Sequence, residues 1–490
     1  MIGATRPEGL FDRETEWNDL AAFAADRPGT HLAIVRGRRR QGKSYLLRRL
    51  AHANGGFYHQ AVAQERAQSL AAIGAALGEH AGVPGGRIAV DSWDDVLRAL
   101  DELAQRPGGA LVIIDEFPYL LDHSPELSSS LQRFIDNSRE HTGSLRLILC
   151  GSALSVMASL LEGTQALRGR ASTDVVVRTF DYRTASAFWE IEDPATAFLV
   201  HAVVGGTPGY RDLLDAPVPK RPSDIDRWLA AGPLNPSSAM FREDEYLLTE
   251  ERAITDRAVY HSVVAAIAAG NTSQGSIAQA VGRDPGAVQH PLRTLVDAGF
   301  VVGADDALRS RRPIYRLADP IVRFHHAVTR RDLARFEDRR TVDAWRDAEP
   351  RFRTHVLGPH FEDIAREFTF RFASPDTVGG LVSEVNPAVV NDPTARVQHE
   401  VDVVALARHA DGSTNVIALG EAKHTMAQRT VADLDRLDHV RALVARQRPA
   451  AIDARLLLFS ASGFDRNLQR AAAERGDVEL IDLDRLYLGD

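Results

Sequence analysis

The sequence has few of the features that mark disulfide-bonded, secreted or membrane-spanning proteins. It contains a single cysteine, Cys150, in 490 residues, which excludes an internal disulfide and any zinc site built from several cysteines. Its longest apolar stretch, residues 147–161, is interrupted by glycine and serine and is shorter than the ~20 residues of a membrane-spanning helix. The first residues lack the apolar segment of a signal peptide. We therefore expect a cytoplasmic protein without a membrane partner.

Positive charge is not in excess either. The chain has 58 lysine and arginine residues against 67 aspartate and glutamate residues, a net charge of −9. No global positive field draws such a chain to nucleic acid, so any contact with DNA must come from local patches. The length suggests about three domains, at roughly 150 residues per domain.

One glycine-rich stretch carries a strong functional signal. It follows an apolar run, residues 31–35, precedes a helical pattern that begins at Tyr45, and reads Gly37-Arg38-Arg39-Arg40-Gln41-Gly42-Lys43-Ser44. A G-x-x-x-x-G-K-S sequence between a strand and a helix is a phosphate-binding loop, because its backbone N–H groups and the helix N-terminus point into one concavity. Lys43 would reach the β- and γ-phosphates of ATP, and Ser44 would offer its hydroxyl to Mg²⁺. The alternative is an ordinary glycine turn that happens to carry a lysine.

Acidic side chains follow a second apolar strand, residues 110–114. In a protein with a phosphate-binding loop, Asp115 would belong to the Mg²⁺ shell and Glu116 would polarise the attacking water. The alternative is that both residues only cap the strand. A third buried strand, residues 145–152, ends in Ser152, which we expect beside the γ-phosphate. Arg168 or Arg170 is either a charge-stabilising arginine finger or a solvated surface charge.

The alternation of strands and helices over residues 30–180 predicts a parallel α/β sheet. From about residue 181 to 250 the pattern is helical and predicts a lid over the nucleotide. Residues 255–330 then read as three helices and a two-stranded hairpin, the pattern of a winged helix-turn-helix. Its third helix carries Gln289, His290 and Arg293, and its hairpin carries further arginines that would contact DNA phosphates, namely Arg309, Arg311 and Arg312. The alternative is a purely structural winged helix.

Four residues that could bind Mg²⁺ or position water follow one another in the last third of the chain. Glu362 lies in a predicted helix, Asp402 in a predicted strand, and Glu421 and Lys423 on one face of the next strand. If the two strands pair, carboxylates able to bind Mg²⁺ meet an ammonium group able to position water, the chemistry of phosphodiester hydrolysis. The alternative is a vestigial site. His399 and His424 are expected to flank this motif, and the adjacent His325 and His326 to be structural.

These motifs together resemble the archaeal-type AAA+ ATPases, P-loop ATPases related to the STAND signalling group. The resemblance covers about residues 8–330 and rests on Phe11-Asp12-Arg13-Glu14, the phosphate-binding loop, Asp115-Glu116-Phe117-Pro118, Ser152, Gly169-Arg170 and Gly206-Thr207-Pro208-Gly209-Tyr210. It implies that residues 11–14 lie near the adenine and that the lid segment packs Pro208 on the base. The arginine-rich loop interior departs from the family, and Arg38, Arg39 and Arg40 either project away from the phosphates or meet another charged partner.

The C-terminal motif resembles the PD-(D/E)XK nuclease fold in the form that ends such ATPase chains. On that resemblance, Asp402 and Glu421 are metal ligands, Lys423 is the catalytic lysine and Glu362 the helix carboxylate. The expected fold is α/β: a P-loop ATPase core (residues 1–180), a helical lid (181–252), a winged helix (253–330) and a restriction-endonuclease-like domain (331–490).

Two hypotheses of function follow. The first is an ATP-hydrolysing, Mg²⁺-dependent nuclease that acts on DNA in genome maintenance or defence. The second is a STAND-like signalling switch whose C-terminal domain is a non-catalytic docking module. An arginine finger acting between subunits would require a homo-oligomer.

Overall fold

A computed structural model describes residues 6–25, 29–105, 111–138, 145–163, 165–251, 253–254 and 256–490, without the side chains of residues 138, 310 and 311. The chain forms two compact units. The N-terminal unit comprises residues 1–179, 207–209 and 247–255, and the C-terminal unit comprises residues 180–206, 210–246 and 256–490. The segment predicted as a lid is therefore divided between the two units.

The N-terminal unit contains a five-stranded, entirely parallel sheet with the strand order β2-β3-β4-β1-β5. Its strands are β1 (His31–Arg36), β2 (Phe57–Gln60), β3 (Leu111–Asp115), β4 (Arg146–Gly151) and β5 (Ala171–Val176). All residues of β3 and β4 are buried, which is why both strands read as continuous apolar runs. The predicted parallel α/β sheet is confirmed, and Cys150 is a buried residue of β4, as expected.

Helices cover both faces of this sheet. They are α1 (Glu14–Ala24), α2 (Lys43–Asn54), α3 (Arg66–His80), α4 (Trp93–Ala104), α5 (Pro118–Asp122), α6 (Leu127–Ser138) and α7 (Leu154–Ser159). In β1, Leu32 and Ile34 join the core formed with α3, α4 and α6, whereas Ala33 and Val35 join the core formed with α1 and α2. This is the two-residue alternation of a strand that is buried on both faces.

The remaining helices follow in the second half of the chain. They are α8 (Tyr182–Trp189), α9 (Pro194–Val204), α10 (Ile225–Ala231), α11 (Glu243–Glu250), α12 (Arg257–Ala268), α13 (Gln274–Val281), α14 (Pro285–Asp297), α15 (Pro320–Phe324), α16 (Leu333–Glu337), α17 (Thr341–Phe352), α18 (Gly358–Arg371), α19 (Pro375–Val378), α20 (Val431–Ala445), α21 (Arg466–Ala473) and α22 (Leu483–Leu488). No helix among the described residues is both long enough and apolar enough to cross a bilayer.

Helices α12, α13 and α14 are followed by an antiparallel hairpin of β6 (Val301–Asp306) and β7 (Arg309–Leu317). Local sequence fixes these bounds. The Asp256 and Ser273 side chains accept backbone N–H bonds at the starts of α12 and α13, and Gly282 ends α13 at φ 71°, a left-handed conformation that costs glycine little.

A second five-stranded sheet, of mixed direction, lies in the C-terminal unit. Its strands are β8 (Glu384–Asp392), β9 (Val397–Arg408), β10 (Thr414–Lys423), β11 (Arg455–Ser460) and β12 (Val478–Asp482). The order is β12-β11-β10-β9-β8, antiparallel from β8 to β10 and parallel from β10 to β12. The sequence pattern does not predict β8, because Pro387 interrupts it; proline is nevertheless tolerated in a strand at an edge or a bulge.

Candidate functional sites

The predicted phosphate-binding loop connects β1 to α2, as expected. A Cβ atom on Gly37 would lie 2.4 Å from the carbonyl oxygen of Val177, so only glycine fits there. Arg40 and Gly42 have φ values of 67° and 88°, and these left-handed residues curl the backbone before α2 begins at Lys43. The unpaired N–H groups at the start of α2 and the positive end of its dipole therefore border the loop concavity, a ready anion site.

Lys43 is held inside this loop. Its side chain is 5% exposed, and its Nζ donates a hydrogen bond to the carbonyl oxygen of Arg38 at 2.8 Å. Burial lowers the pKa of Lys43, opposed by the negative charges of Glu116 and Asp115. An anion in the concavity would favour the charged ammonium form. Ser44 is half-buried in the first turn of α2.

The predicted acidic residues lie at the carboxyl end of β3 and are fixed by neighbouring strands. Asp115 is completely buried; its Oδ2 accepts a 2.6 Å hydrogen bond from the Tyr58 hydroxyl of β2, and its Oδ1 accepts one from the Glu116 backbone N–H. Glu116 has a left-handed φ of 53°, and its Oε2 accepts a 2.9 Å hydrogen bond from the Ser152 hydroxyl. Asp115, Glu116 and Ser152 thus form one hydrogen-bonded group, and backbone strain of this kind is typical of functional sites.

Pro208, another predicted nucleotide contact, lies against the loop. A Cβ on Gly42 would be 4.0 Å from Pro208 Cγ, and the Gly209 N–H donates to the Arg40 carbonyl oxygen at 3.0 Å. Among the loop arginines, Arg39 forms an ion pair with Glu250, so one of them meets a charged partner.

Arg170, one of the two candidate arginine fingers, forms an ion pair with Asp136. Its Nε and Nη2 contact the two carboxylate oxygens of Asp136 on α6 at 2.9 and 2.6 Å, and this hydrogen bonding raises the pKa of Arg170. A bidentate pair of this kind fixes the guanidinium geometrically. The other candidate finger, Arg168, donates to the Gly163 carbonyl oxygen at 2.6 Å.

Sequence reasoning missed the roles of Arg13 and Tyr58. Arg13 is 7% exposed and donates to the carbonyl oxygens of Gln41 at 3.2 Å and Arg178 at 2.6 Å, so it ties the start of α1 to the loop and to the chain after β5. The motif at residues 11–14 was recognised, but burial of one arginine in it is a tertiary property. Tyr58 is an ordinary strand residue by sequence, and only the pairing of β2 with β3 brings it to Asp115.

The four predicted acidic-site residues lie on α18, β9 and β10, and a β-bulge positions Asp402. Asn386 pairs with Val404 and Ala388 with Val401, so Asp402 and Val403 together oppose Pro387. Bulges of this kind re-aim side chains and are frequent next to active sites. The re-aimed Asp402 carboxylate accepts a 2.8 Å hydrogen bond from the Ala422 N–H of β10, between Glu421 and Lys423.

The negative charge of Asp402 acts on the carboxyl group of Glu362 on α18. Burial first, and then the charge of Asp402, raises the pKa of Glu362 to about 8, although its side chain remains 36% exposed. Burial likewise raises the pKa of Asp402 to about 6, with a further contribution from Glu421. Arg366, which the sequence analysis did not select, donates to the Asp402 carbonyl oxygen at 2.8 Å. Carboxylates with raised pKa values in a cleft are candidates for function.

The neighbouring Asp363 has a different role. Its carboxylate pairs with Arg316 at 3.0 Å, Arg323 at 2.6 Å and Arg366 at 2.7 Å. These three guanidinium groups outweigh burial and hold the pKa of Asp363 well below its usual range. The Asp363 carboxylate is therefore engaged in ion pairs with arginines. Glu362 is then the α18 carboxylate that faces Asp402.

Glu421 is surrounded by cations. Its Oε1 lies 3.0 Å from Lys423 Nζ and 2.8 Å from Arg436, and its Oε2 lies 3.1 Å from the buried Arg429. Lys423 also contacts Asp433 at 3.0 Å. Glu362, Asp402 and Glu421, all three of which are described, do not gather their oxygens within 4.8 Å of one another. The sequence thus predicts the four residues as a site but not the arginines that contact Glu421.

A cleft of about 410 Å³ lies between Asp402 and the β6–β7 hairpin, lined by Arg312, Tyr315, Glu362 and Arg366 among others. The hairpin tip is fastened to β8: Asp306 Oδ2 accepts the Val389 N–H at 3.0 Å, and the Ala307 N–H donates to the Pro387 carbonyl oxygen at 3.0 Å. The tip thus bonds to β8 opposite the bulge. The side chain of Arg311, predicted to contact DNA, lies outside the described part of the chain.

Lysine usage coincides with these two sites. Among 58 basic residues, lysine occurs only at positions 43, 220 and 423. Arginine therefore supplies nearly every positive charge, yet lysine stands in the phosphate-binding loop and in the acidic site. A compact ammonium with a shiftable pKa is not replaceable by a planar guanidinium where it must fit among phosphate or carboxylate oxygens.

Comparison with known proteins agrees with the geometry of the first site. Residues 10–209 match a family described as an ATPase domain predominantly from Archaea. The phosphate-binding loop, Asp115 and the parallel sheet all lie within the matched residues and agree with this similarity to ATPase domains.

Three similar proteins were identified. An uncharacterised protein of Methanocaldococcus jannaschii is 22% identical over 367 residues, 73% of this chain and 77% of its own. A Walker-type ATPase of Pyrococcus abyssi has 20% identity and a TM-score of 0.49, over 66% of this chain and 98% of that one. The Aeropyrum pernix ORC2 protein has 16% identity and a TM-score of 0.40, over 69% of this chain and 96% of that one.

Proposed function

We propose that this protein is a Mg²⁺- and ATP-dependent enzyme whose C-terminal unit cleaves DNA. The ATPase domain of residues 10–209 is the premise, and the acidic site on α18, β9 and β10 is the observation that carries the proposal. We also propose that residues 253–330 form a winged helix, that residues 331–490 form a PD-(D/E)XK-type nuclease domain, and that residues 181–252 form a lid.

The residues of the first site suit ATP with Mg²⁺. The loop N–H groups and Lys43 bind the phosphates, the Ser44 hydroxyl and Asp115 are the hard oxygen donors that Mg²⁺ prefers, and Glu116 orients the attacking water. Bound Mg²⁺ supplies neutralisation of the phosphate charge. The hydrogen bond from the Ser152 hydroxyl holds the Glu116 carboxylate away from the attacking water. A γ-phosphate that binds the same hydroxyl releases this carboxylate, so hydrolysis depends on a correctly bound nucleotide.

In the second site each residue has a separate task. Asp402 and Glu421 hold Mg²⁺, which supplies polarisation of a phosphodiester oxygen, and Lys423 positions the water. Protonated Glu362, whose pKa of about 8 keeps it neutral at pH 7, donates a proton or a hydrogen bond. The carboxylates of Asp402 and Glu421 are hard oxygen donors, which suit Mg²⁺ better than a softer metal.

DNA is the proposed substrate because exposed polar and basic groups lie on α14 and the hairpin. Gln289 and His290 are exposed, Arg293 is 83% exposed with a distant 3.8 Å contact to Asp297, and Arg312 is exposed beside the cleft. Such side chains contact phosphates and base edges in helix-turn-helix complexes, and Arg293 and Arg312 offer exposed positive charges on an acidic chain.

The test is cleavage of supercoiled plasmid DNA by the full-length protein with Mg²⁺, with and without ATP. Asp402→Asn and Glu421→Gln should each reduce cleavage at least about a hundredfold, since a metal-bound oxygen is lost without a change of shape. Asp411→Asn, an exposed carboxylate at the other end of β10, is the control. Cleavage that persists unchanged in both site variants would refute the nuclease assignment.

The cations around Glu421 favour a second candidate, a nucleotide-dependent switch whose C-terminal unit is a docking module. Lys423, Arg429 and Arg436 compete directly with Mg²⁺ for both Glu421 oxygens. This reading predicts slow ATP turnover, no cleavage with Mg²⁺ or Mn²⁺, and oligomerisation that depends on ATP. Light scattering with ATP, ADP and no nucleotide distinguishes it from the first candidate.

A further inference from the structure

A cluster of three possible metal ligands lies at one end of the C-terminal sheet, outside both sites described above. It consists of Asp392, His399 and His439, each of which offers one ligand atom within 4.8 Å of the other two. In the described part of the chain, no other group of three histidine, cysteine or acidic residues is as tightly gathered. Asp392 ends β8, His399 lies near the start of β9, and His439 lies on α20.

The Asp392 carboxylate is oriented by its own backbone. Its Oδ1 accepts the N–H groups of Thr394 and Ala395 at 2.9 and 3.0 Å, in the turn that joins β8 to β9. Its Oδ2 lies 2.9 Å from His439 Nε2. These backbone hydrogen bonds and His439 lower the pKa of Asp392. One ionised oxygen is thus fixed in place and directed at the histidines.

His399 provides the independent observation. Its Nε2 is buried and forms no hydrogen bond with the described residues, which is costly for a polar atom unless it has a partner. Its ring lies 5.8 Å from that of His439 with an interplanar angle of 76°, so the two rings converge without stacking. An Asp392–His439 pair alone leaves this nitrogen unexplained.

We propose that Asp392, His399 and His439 bind a zinc-class transition-metal ion, separate from the Mg²⁺ of the acidic site. Two imidazole nitrogens and one carboxylate oxygen suit Zn²⁺, whereas Mg²⁺ prefers oxygen ligands alone. Three protein ligands leave a fourth position for water or for a group from a partner. His439 is 51% exposed, which gives the ion a path from solvent.

The ion would add a further link between elements that the β8–β9 ladder and the Asp392–His439 contact already join. It would connect both strands of the β8–β9 hairpin to α20, and α20 also carries Arg436 and Asp433 of the acidic site. Metal binding to a preformed cluster stabilises the folded state by mass action. This proposal does not rest on nuclease or ATPase activity, and its test uses neither.

The test is Zn²⁺ titration by calorimetry of the full-length protein, stripped with a chelator and kept in excess Mg²⁺. The wild type should bind one more Zn²⁺ per chain than His399→Gln and His439→Gln do, with an affinity at least about tenfold higher at this site. His409→Gln, which alters an exposed histidine in the β9–β10 turn, should match the wild type. Co²⁺ should give visible absorption in the wild type that His399→Gln lacks.

His399→Gln is decisive because this residue has no part in the Asp392–His439 pair. If it binds Zn²⁺ with wild-type stoichiometry and affinity, the cluster is only a hydrogen-bonded pair and the proposal is wrong. The proposal is also wrong if His439→Gln loses Zn²⁺ binding while His399→Gln retains it. Should His399→Gln fail to fold, Asp392→Asn can retain both turn hydrogen bonds and must also lose the ion.

Discussion

The ionisation of individual carboxylates in the C-terminal unit depends on neighbouring charges, and the sequence does not reveal where those charges lie. Glu362 and Asp363 are adjacent, yet three arginines hold Asp363 ionised, whereas burial and Asp402 keep a proton on Glu362 up to a pKa of about 8. A one-residue difference on a helix rotates the side chain by about 100° and decides which carboxylate meets the arginines.

Glu362 should make stability fall as pH rises. Because its folded-state pKa is raised from 4.5 to about 8, its stabilising contribution is complete below about pH 4.5 and is lost as pH increases through 8. Glu362→Gln removes this contribution, so its free energy of unfolding should decline less than that of the wild type between pH 5 and 8.5. Urea unfolding at several pH values measures the difference. Glu192→Gln, an exposed control, should follow the wild type, and a parallel decline in Glu362→Gln would contradict the prediction.

Arg436 should restrain metal binding at Glu421. It is 42% exposed and contacts Glu421 Oε1 at 2.8 Å, so Arg436→Gln removes one of two cations, the other being Lys423, that compete with Mg²⁺ for this oxygen. We expect Mg²⁺ affinity to increase by up to about fivefold, since an exposed ion pair contributes roughly 0.2–1 kcal/mol. Calorimetry compares this variant with Arg446→Gln, an exposed arginine at the end of the same helix. Weaker binding in Arg436→Gln would mean that this arginine supports the site instead.

At the scale of elements, the hairpin and the bulge together shape the acidic site. The β9 bulge turns Asp402 towards α18, and the β6–β7 tip is bonded to β8 on the strand position that opposes the bulge. The hairpin, β8 and β9 therefore determine the cleft together, and the sequence pattern indicates the hairpin and β9 but neither the bulge nor the bonds of the hairpin tip to β8.

The hairpin tip should loosen when Asp306 loses its charge. In Asp306→Asn the side-chain oxygen can still accept the Leu308 and Arg309 N–H groups, but an amide NH₂ then faces the Val389 N–H. Loss of a hydrogen bond to a charged group costs about 1.5–3 kcal/mol, so the Val389 amide should exchange at least about tenfold faster. Hydrogen exchange measures this, with the exposed neighbour in Asp305→Asn as control. Unchanged protection of Val389 would show that the tip is held by other contacts.

At the scale of the whole molecule, two sheets carry two sites in two separate units. The residues proposed for each site lie within one unit: the loop, Asp115, Glu116 and Ser152 belong to the first, and all four acidic-site residues belong to the second. Local chemistry at one site therefore does not need residues of the other, although nucleotide state can still regulate the chain.

The two sites should be separable by mutation. Lys43→Ala should lower ATP affinity at least about tenfold, because the only buried ammonium of the loop is removed, while Mg²⁺ binding to the C-terminal unit is retained. Asp402→Asn should keep wild-type ATP hydrolysis. Lys220→Ala, the one lysine outside both sites, is the control in both assays. Loss of ATP hydrolysis in Asp402→Asn would show that the sites are interdependent.

The sequence by itself determined the parallel sheet, the phosphate-binding loop and its place between β1 and α2, since apolar runs and glycines act locally. It also selected Glu362, Asp402, Glu421 and Lys423 by their order along the chain, and strand periodicity puts Glu421 and Lys423 on one face. It missed β8, Arg13, Tyr58 and Arg366, since proline hides the strand and the three side chains matter only through partners far along the chain.

Only the tertiary structure decided which arginines neutralise Asp363 and Glu421, how the bulge aims Asp402, and that Asp392, His399 and His439 converge. Charge pairing and strand register depend on distances between segments that are remote in sequence. A linear pattern contains the residue types but not those distances.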